Sequence, residues 1–210
     1  MKKLFLLAVL CLGTAITMNA QEFYFGLKGG TSLSTISGEN KLMSNNYRTG
    51  LYGGVFAEVV MSEKISIQPE VLYSMLGSHE TYKQFLANGV LSNEITIKLR
   101  YIDVPVMVKY RVYKGLSVQA GPQVSFLLDS QGEYETGFAG LATGTSRTNL
   151  NEYFTDASFG VNFGLGYEFD SGLFVDGRYS LGVSNIAQKE SETGELNNHF
   201  FEFGVGYKFL

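Results

Sequence analysis

Phe200-Phe201-Glu202-Phe203-Gly204-Val205-Gly206-Tyr207-Lys208-Phe209-Leu210 is the stretch from which the fold is read. Successive side chains of a strand point to opposite faces, so Phe201, Phe203, Val205, Tyr207 and Phe209 share one side, and Glu202, Gly204, Gly206 and Lys208 share the other. One side is bulky and apolar, the other small or charged. The same two-residue period recurs upstream, and no segment after Gln21 sustains a helical period.

Working back from that strand, residues 173–183 place Leu173, Val175, Tyr179, Leu181 and Val183 opposite Asp176, Arg178 and Gly182. Residues 158–169 place Phe159, Val161, Phe163, Leu165, Tyr167 and Phe169 opposite Gly160, Asn162, Gly164, Gly166 and Glu168. Five more alternating segments cover 23–31, 50–60, 65–75, 95–110 and 116–128. In the fourth of the eight, the apolar parity changes between Tyr101 and Ile102, which predicts a β-bulge near Tyr101, because a one-residue slip turns a strand over. Pro69, Pro105 and Pro122 fall inside strands, where a missing N–H interrupts the ladder.

The connections alternate in length. Residues 32–49, 77–94, 129–155 and 184–198 are long, whereas 61–64, 111–115 and 170–172 are short. Transmembrane barrels have this organisation, with short turns at the periplasmic end and longer outer loops. A soluble barrel shows the same period with its apolar face inward. Volume separates the two: an eight-stranded barrel has room inside only for packed side chains. Several large apolar residues per strand overfill that space, while the Gly- and Ser-rich face fits it. The fold class expected is all-β, an eight-stranded antiparallel up-and-down transmembrane β-barrel.

Composition agrees with this reading. The 210 residues include 25 Gly, 16 Phe and 13 Tyr but only 3 Pro, and the formal charge of −4 supplies no basic field for nucleic acid. Lys2 and Lys3, the apolar run 4–12 and Asn19-Ala20 read as a signal peptide over residues 1–20, leaving a barrel domain over 21–210. The single cysteine, Cys11, lies within that leader and lacks the small residues a lipoprotein signal places before it. The exported chain is then free of thiol chemistry and disulfides.

Candidate chemistry lies on the inward parity. Glu58, Glu70, Asp103, Asp156, Glu168, Asp176 and Glu202 face Lys28, Lys109, Arg178 and Lys208 there, with Tyr24, Phe56 and Phe174 adding bulk. The reading is a structural network of ion pairs plugging the lumen, since a buried charge needs a partner. Ser78-His79-Glu80, in a long connection, supplies the residue types of a nucleophilic site, but adjacent residues seldom point at one another. His199 is the only other histidine. No catalytic residue, cofactor or metal is expected.

The segments Phe25-Gly26-Leu27-Lys28-Gly29-Gly30, Gln68-Pro69-Glu70-Val71-Leu72-Tyr73 and Tyr101-Ile102-Asp103-Val104-Pro105-Val106-Met107-Val108-Lys109-Tyr110, with Gly121-Pro122 and Gly204-Val205-Gly206-Tyr207, together form a pattern. In these the chain resembles the PorT-like outer-membrane β-barrel family of Bacteroidota. The resemblance implies an outer-membrane barrel of eight strands and recurring prolines, and its founding member is linked to protein secretion and gliding. The expectation for function is an outer-membrane, non-enzymatic protein with a structural or surface-interaction role through its long loops. A small barrel enzyme acting at the outer rim and an accessory component of secretion are the alternatives. Expected partners are outer-membrane lipid, the barrel-assembly machinery through the C-terminal strand, and an envelope protein or polysaccharide, with the barrel itself a monomer.

Overall fold

The computed structural model describes residues 22–38, 47–86, 89–138, 141–187 and 196–209; the expected leader, Cys11 and the junction before Gln21 lie outside them. The strands are β1 (Glu22–Gly38), β2 (Arg48–Val60), β3 (Ile65–Leu86), β4 (Gly89–Tyr113), β5 (Leu116–Phe138), β6 (Leu141–Asn149), β7 (Ala157–Glu168), β8 (Leu173–Gly182) and β9 (Leu196–Phe209). Each pairing is antiparallel. The order β4-β3-β2-β1-β9-β8-β7-β5, joined by the β4–β5 pairing, makes a ring of eight. β9 closes on β1 from Phe209–Phe25 to Leu196–Gly38, so the strand with the strictest alternation seals the barrel.

Burial follows the alternation. Phe201, Phe203, Val205, Tyr207 and Phe209 are exposed, whereas Glu202, Gly204, Gly206 and Lys208 are buried. Exposed apolar residues recur on every ring strand, among them Phe25, Leu51, Val71, Val108, Val118, Leu165 and Val175. An apolar face this continuous has no place in water, and on a closed barrel it is the face turned to lipid. Phe23, Phe25, Tyr110, Tyr113, Tyr167, Phe169, Tyr207 and Phe209 gather near the short turns, as one girdle of such a barrel does.

The short connections are 61–64, 114–115 and 169–172, with Gly115 and Gly172 at φ of 72° and 81°, a region L-residues avoid. The long connections differ from expectation. Residues 77–94 are mostly strand: β3 continues to Leu86 and β4 begins at Gly89, so the two form a hairpin standing beyond the ring. Most of 129–155 is strand as well, because β5 runs on to Phe138 and β6 returns along it. A transmembrane strand needs only ~9–11 residues. β3, β4 and β5 have 22, 25 and 23, and their surplus, with β6, makes a four-stranded flap at the long-connection end.

The register of β4 on β5 does shift between Arg100 and Tyr101, but β4 itself does not turn over. Leu99, Tyr101, Asp103, Pro105 and Met107 all face inward, and the extra residue is Leu128 on β5, skipped between Leu127 and Asp129. The change of apolar parity marks instead the level at which the lumen becomes apolar. Leu99 and Tyr101 join Ile36, Leu76, Phe154, Ile186 and Phe200 in a buried cluster there.

Each proline opens a gap in the ladder. The register of β2 on β3 skips from Phe56–Glu70 to Val59–Ile67, that of β3 on β4 from Pro69–Val106 to Leu72–Asp103, and that of β4 on β5 from Pro105–Gln123 to Val108–Ala120. Pro69, Pro105 and Pro122 sit at these three gaps on consecutive strands. A closed barrel thus accommodates proline by local loss of pairing rather than at a free edge.

Candidate functional site

Alternation delivers the lumen side chains, and ion pairing arranges them. At the centre, Arg178 Nη1 and Nη2 donate to Glu70 Oε2 and Oε1 at 2.7 and 2.6 Å, a two-pronged contact matched to the planar guanidinium. Arg178 Nη2 also donates to Gln119 Oε1 at 3.0 Å, and its Nε lies 3.1 Å from Asp176 Oδ2. Lys28 Nζ donates to the same Asp176 oxygen at 2.6 Å, lies 3.7 Å from Glu70, and sits 5.6 Å from the Tyr52 ring centre. Gln68 Nε2 completes the Glu70 shell at 2.6 Å. This layer holds two cations against two carboxylates, and all four side chains are essentially sealed from solvent.

Nearer the short turns a second neutral group forms. Glu58 accepts from Ser66 Oγ at 2.6 Å, and Lys109 and Lys208 lie 3.4 and 3.6 Å from it. Lys208 also pairs with Glu168 and sits 4.8 Å from the Tyr24 ring centre. Lys109 Nζ reaches Gln68 Oε1 at 3.1 Å and so ties the two layers together. Phe56 and Phe174 meet edge to face between the walls, ring centres 5.4 Å apart. Below this lies an open bowl of about 390 Å³, ringed by the short turns and floored by Glu58, Ser66, Lys109 and Glu168.

Toward the other end, Asp103 and Glu202 are buried and take no part in these ion pairs. Asp103 lies across from Ser125, and Glu202 across from Ser32 and Arg178. The apolar cluster then closes the lumen. Phe154 and Ile186 enter it from the connections on either side of β7 and β8, held by Thr155 N donating to Ile186 O at 2.8 Å and Ile186 N to Leu196 O at 2.8 Å.

Ten of the eleven charged residues assigned to the lumen therefore lie on the inward face. Asp156 does not: it is exposed, just ahead of β7, and its carbonyl takes the Leu127 N–H at 2.9 Å. It precedes the strand, where parity no longer decides direction. Parity did extend to neutral residues that the charge reading passed over. Gln68, Gln119, Gln123, Asn162 and Ser66 wire the network, with Asn162 Nδ2 donating to Gln123 Oε1 at 2.7 Å.

Ser78-His79-Glu80 forms no triad, because β3 is extended there and sends Ser78 and Glu80 to one face and His79 to the other. His79 spends its ring nitrogens on Thr96 and Thr81 hydroxyls, at 2.8 and 3.3 Å, while Glu80 accepts from Tyr82 at 2.5 Å. His199 lies on β9 across from Leu181 and Thr35. Among the described residues no cluster of three or more His, Cys, Asp or Glu could hold a metal.

The inward glycines are fitted to this plug. A Cβ on Gly206 would come 2.2 Å from the Phe174 ring, and one on Gly204 would come 2.1 Å from the Tyr52 hydroxyl. Gly206→Val is expected to destabilise the barrel by about 1–3 kcal/mol through overpacking. Urea unfolding in lipid vesicles checks this, and the companion Val205→Leu, on the exposed face, should leave the midpoint within error.

Similarity to known structures is distant. Neisserial surface protein A matches with 14% identity and a TM-score of 0.48, over 91% of this chain and 100% of that one. Ail of Yersinia pestis matches with 13% identity and a TM-score of 0.46, over 90% and 99%. OprG from Pseudomonas aeruginosa gives 10% and 0.40, over 90% and 97%. No curated protein matches the sequence. The model of one protein family, described as "Outer membrane protein beta-barrel domain", matches residues 19–188, which takes in the first seven ring strands and the whole flap. The chain belongs to the outer membrane protein beta-barrel domain family.

Proposed function

We propose that this is a non-enzymatic outer-membrane barrel whose lumen conducts nothing and whose long-connection end, above all the flap, is a contact surface outside the cell. One observation carries the reading: the lumen is filled in depth, by two ion-paired layers and an apolar cap, while β3 to β6 invest their extra length beyond the ring. Two voids above the bowl are of about 20 and 10 Å³, room for a water molecule rather than a solute. In this reading a leader of residues 1–20 is cleaved on export, β9 is the strand offered to the assembly machinery, and the barrel works as a monomer. The PorT-like motifs of β1, β3 and β4 favour the Bacteroidota as source and an envelope or secretion component as partner. Planar-bilayer recording tests the closed lumen. The purified barrel should give no stable conductance steps, and porin-sized steps would refute the reading.

A further inference from the structure

Beyond the ring, β6 is hydrogen-bonded on one side only among the described residues. It pairs with β5 from Asn149–Gln131 to Leu141–Phe138, and among the described residues no strand takes its other side. Its register slips once, past Thr143, and the six residues that follow, from Gly144 to Asn149, are all exposed. Proteins guard such edges with proline, free charge or a covering segment. Gly144 to Asn149 contain no proline, and their one charge, Arg147, is held by Glu133 at 2.8 Å.

We propose that the β6 edge receives an extended segment of another polypeptide as an additional antiparallel strand. A row of unpaired backbone donors and acceptors is complementary to an extended backbone and to little else. A second copy in the same membrane does not fit. Antiparallel pairing of two β6 strands requires a twofold axis across the strands, which inverts one barrel in the bilayer. A twofold along the membrane normal keeps both barrels upright, but strands tilted by ~35–45° then cross at about 70–90°.

The cross-strand rows specify the guest. On one face Glu94 stands opposite Glu135, which stands opposite Thr145, and neither glutamate joins the Lys98–Glu133–Arg147 ion pairs beside them. A lysine or arginine opposite Thr145 answers that pair of like charges. On the other face Ile95, Tyr134 and Ser146 form a row, which asks for an apolar residue opposite Ser146. The guest is a strand with a basic residue opposite Thr145, a neutral polar residue opposite Arg147, and apolar side chains on the other face. This deepens the proposed contact role and rests on it; the conductance test can fail without touching it.

The probe is a synthetic decapeptide with valine at alternate positions, one central lysine and serine at the remaining positions, titrated onto the full-length barrel in nanodiscs and compared with two versions N-methylated on alternate amides. The unmodified peptide and one methylated version should bind alike, and the version whose methyls face β6 should lose at least tenfold in affinity. Glu135→Gln should weaken the unmodified peptide several-fold while heat-modified electrophoretic mobility shows the ring intact. Equal binding by both methylated versions would mean charge attraction without a ladder and would overturn the proposal. Absence of binding at millimolar peptide would do the same, as would a dimer in vesicles that the peptide does not displace.

Discussion

Arg178→Ala should lower the unfolding free energy of the barrel by about 3–5 kcal/mol, the cost of leaving buried carboxylates without their cation. Arg178 is the hub of the central layer: it satisfies both oxygens of Glu70, touches Asp176, and is 2% exposed at its side chain. Removing it leaves Lys28, 3.7 Å from Glu70, as the nearest compensating charge. Urea titration in vesicles gives the value. The double replacement Arg178→Met with Glu70→Met should cost much less than Arg178→Ala alone, because a buried pair removed together leaves no orphan. Equal losses in the two variants would mean that water already reaches the pair.

Phe163→Arg should cost about 2–4 kcal/mol, as a charge does on the lipid face near the middle of the bilayer. Phe163 is exposed at mid-β7, paired with Ala120 and Tyr179, and about midway between the two ends of the strand. The matched variant Tyr153→Arg, on the exposed turn between β6 and β7, should be close to neutral. A neutral Phe163→Arg would mean that water, not lipid, covers that face.

Where lipid lies on one side of a strand and a packed lumen on the other, the physics imposes a period of two, and the ring was legible for that reason. β7 and β9 could be read residue by residue. Beyond the ring the apolar alternation lapses, and the flap therefore reads as loop: Gly77 to Glu94 carries polar residues on both parities, although it builds a long hairpin. Parity also found the lumen charges, apart from Asp156, which lies outside a strand. It could not foretell which charges would pair, since Arg178 and Glu70 are 108 residues apart and meet across the lumen. Nor could it reveal Phe154 and Ile186, whose caps come from irregular chain with no period at all. In β4, the apolar inward pair Leu99 and Tyr101 imitated a change of phase, because parity reports polarity and the lumen there is not polar.

The chain contains no tryptophan, so a single introduced one reports its own surroundings without background. Leu165→Trp on the outer face and Phe174→Trp in the lumen, each folded into vesicles of brominated lipid, test which face meets the bilayer. Emission from Trp at 165 should be blue-shifted and strongly quenched by bromine, and emission from Trp at 174 should be scarcely quenched. Strong quenching at 174 with none at 165 would contradict the barrel's orientation of faces, and with it the account of a plugged lumen inside a lipid-facing wall.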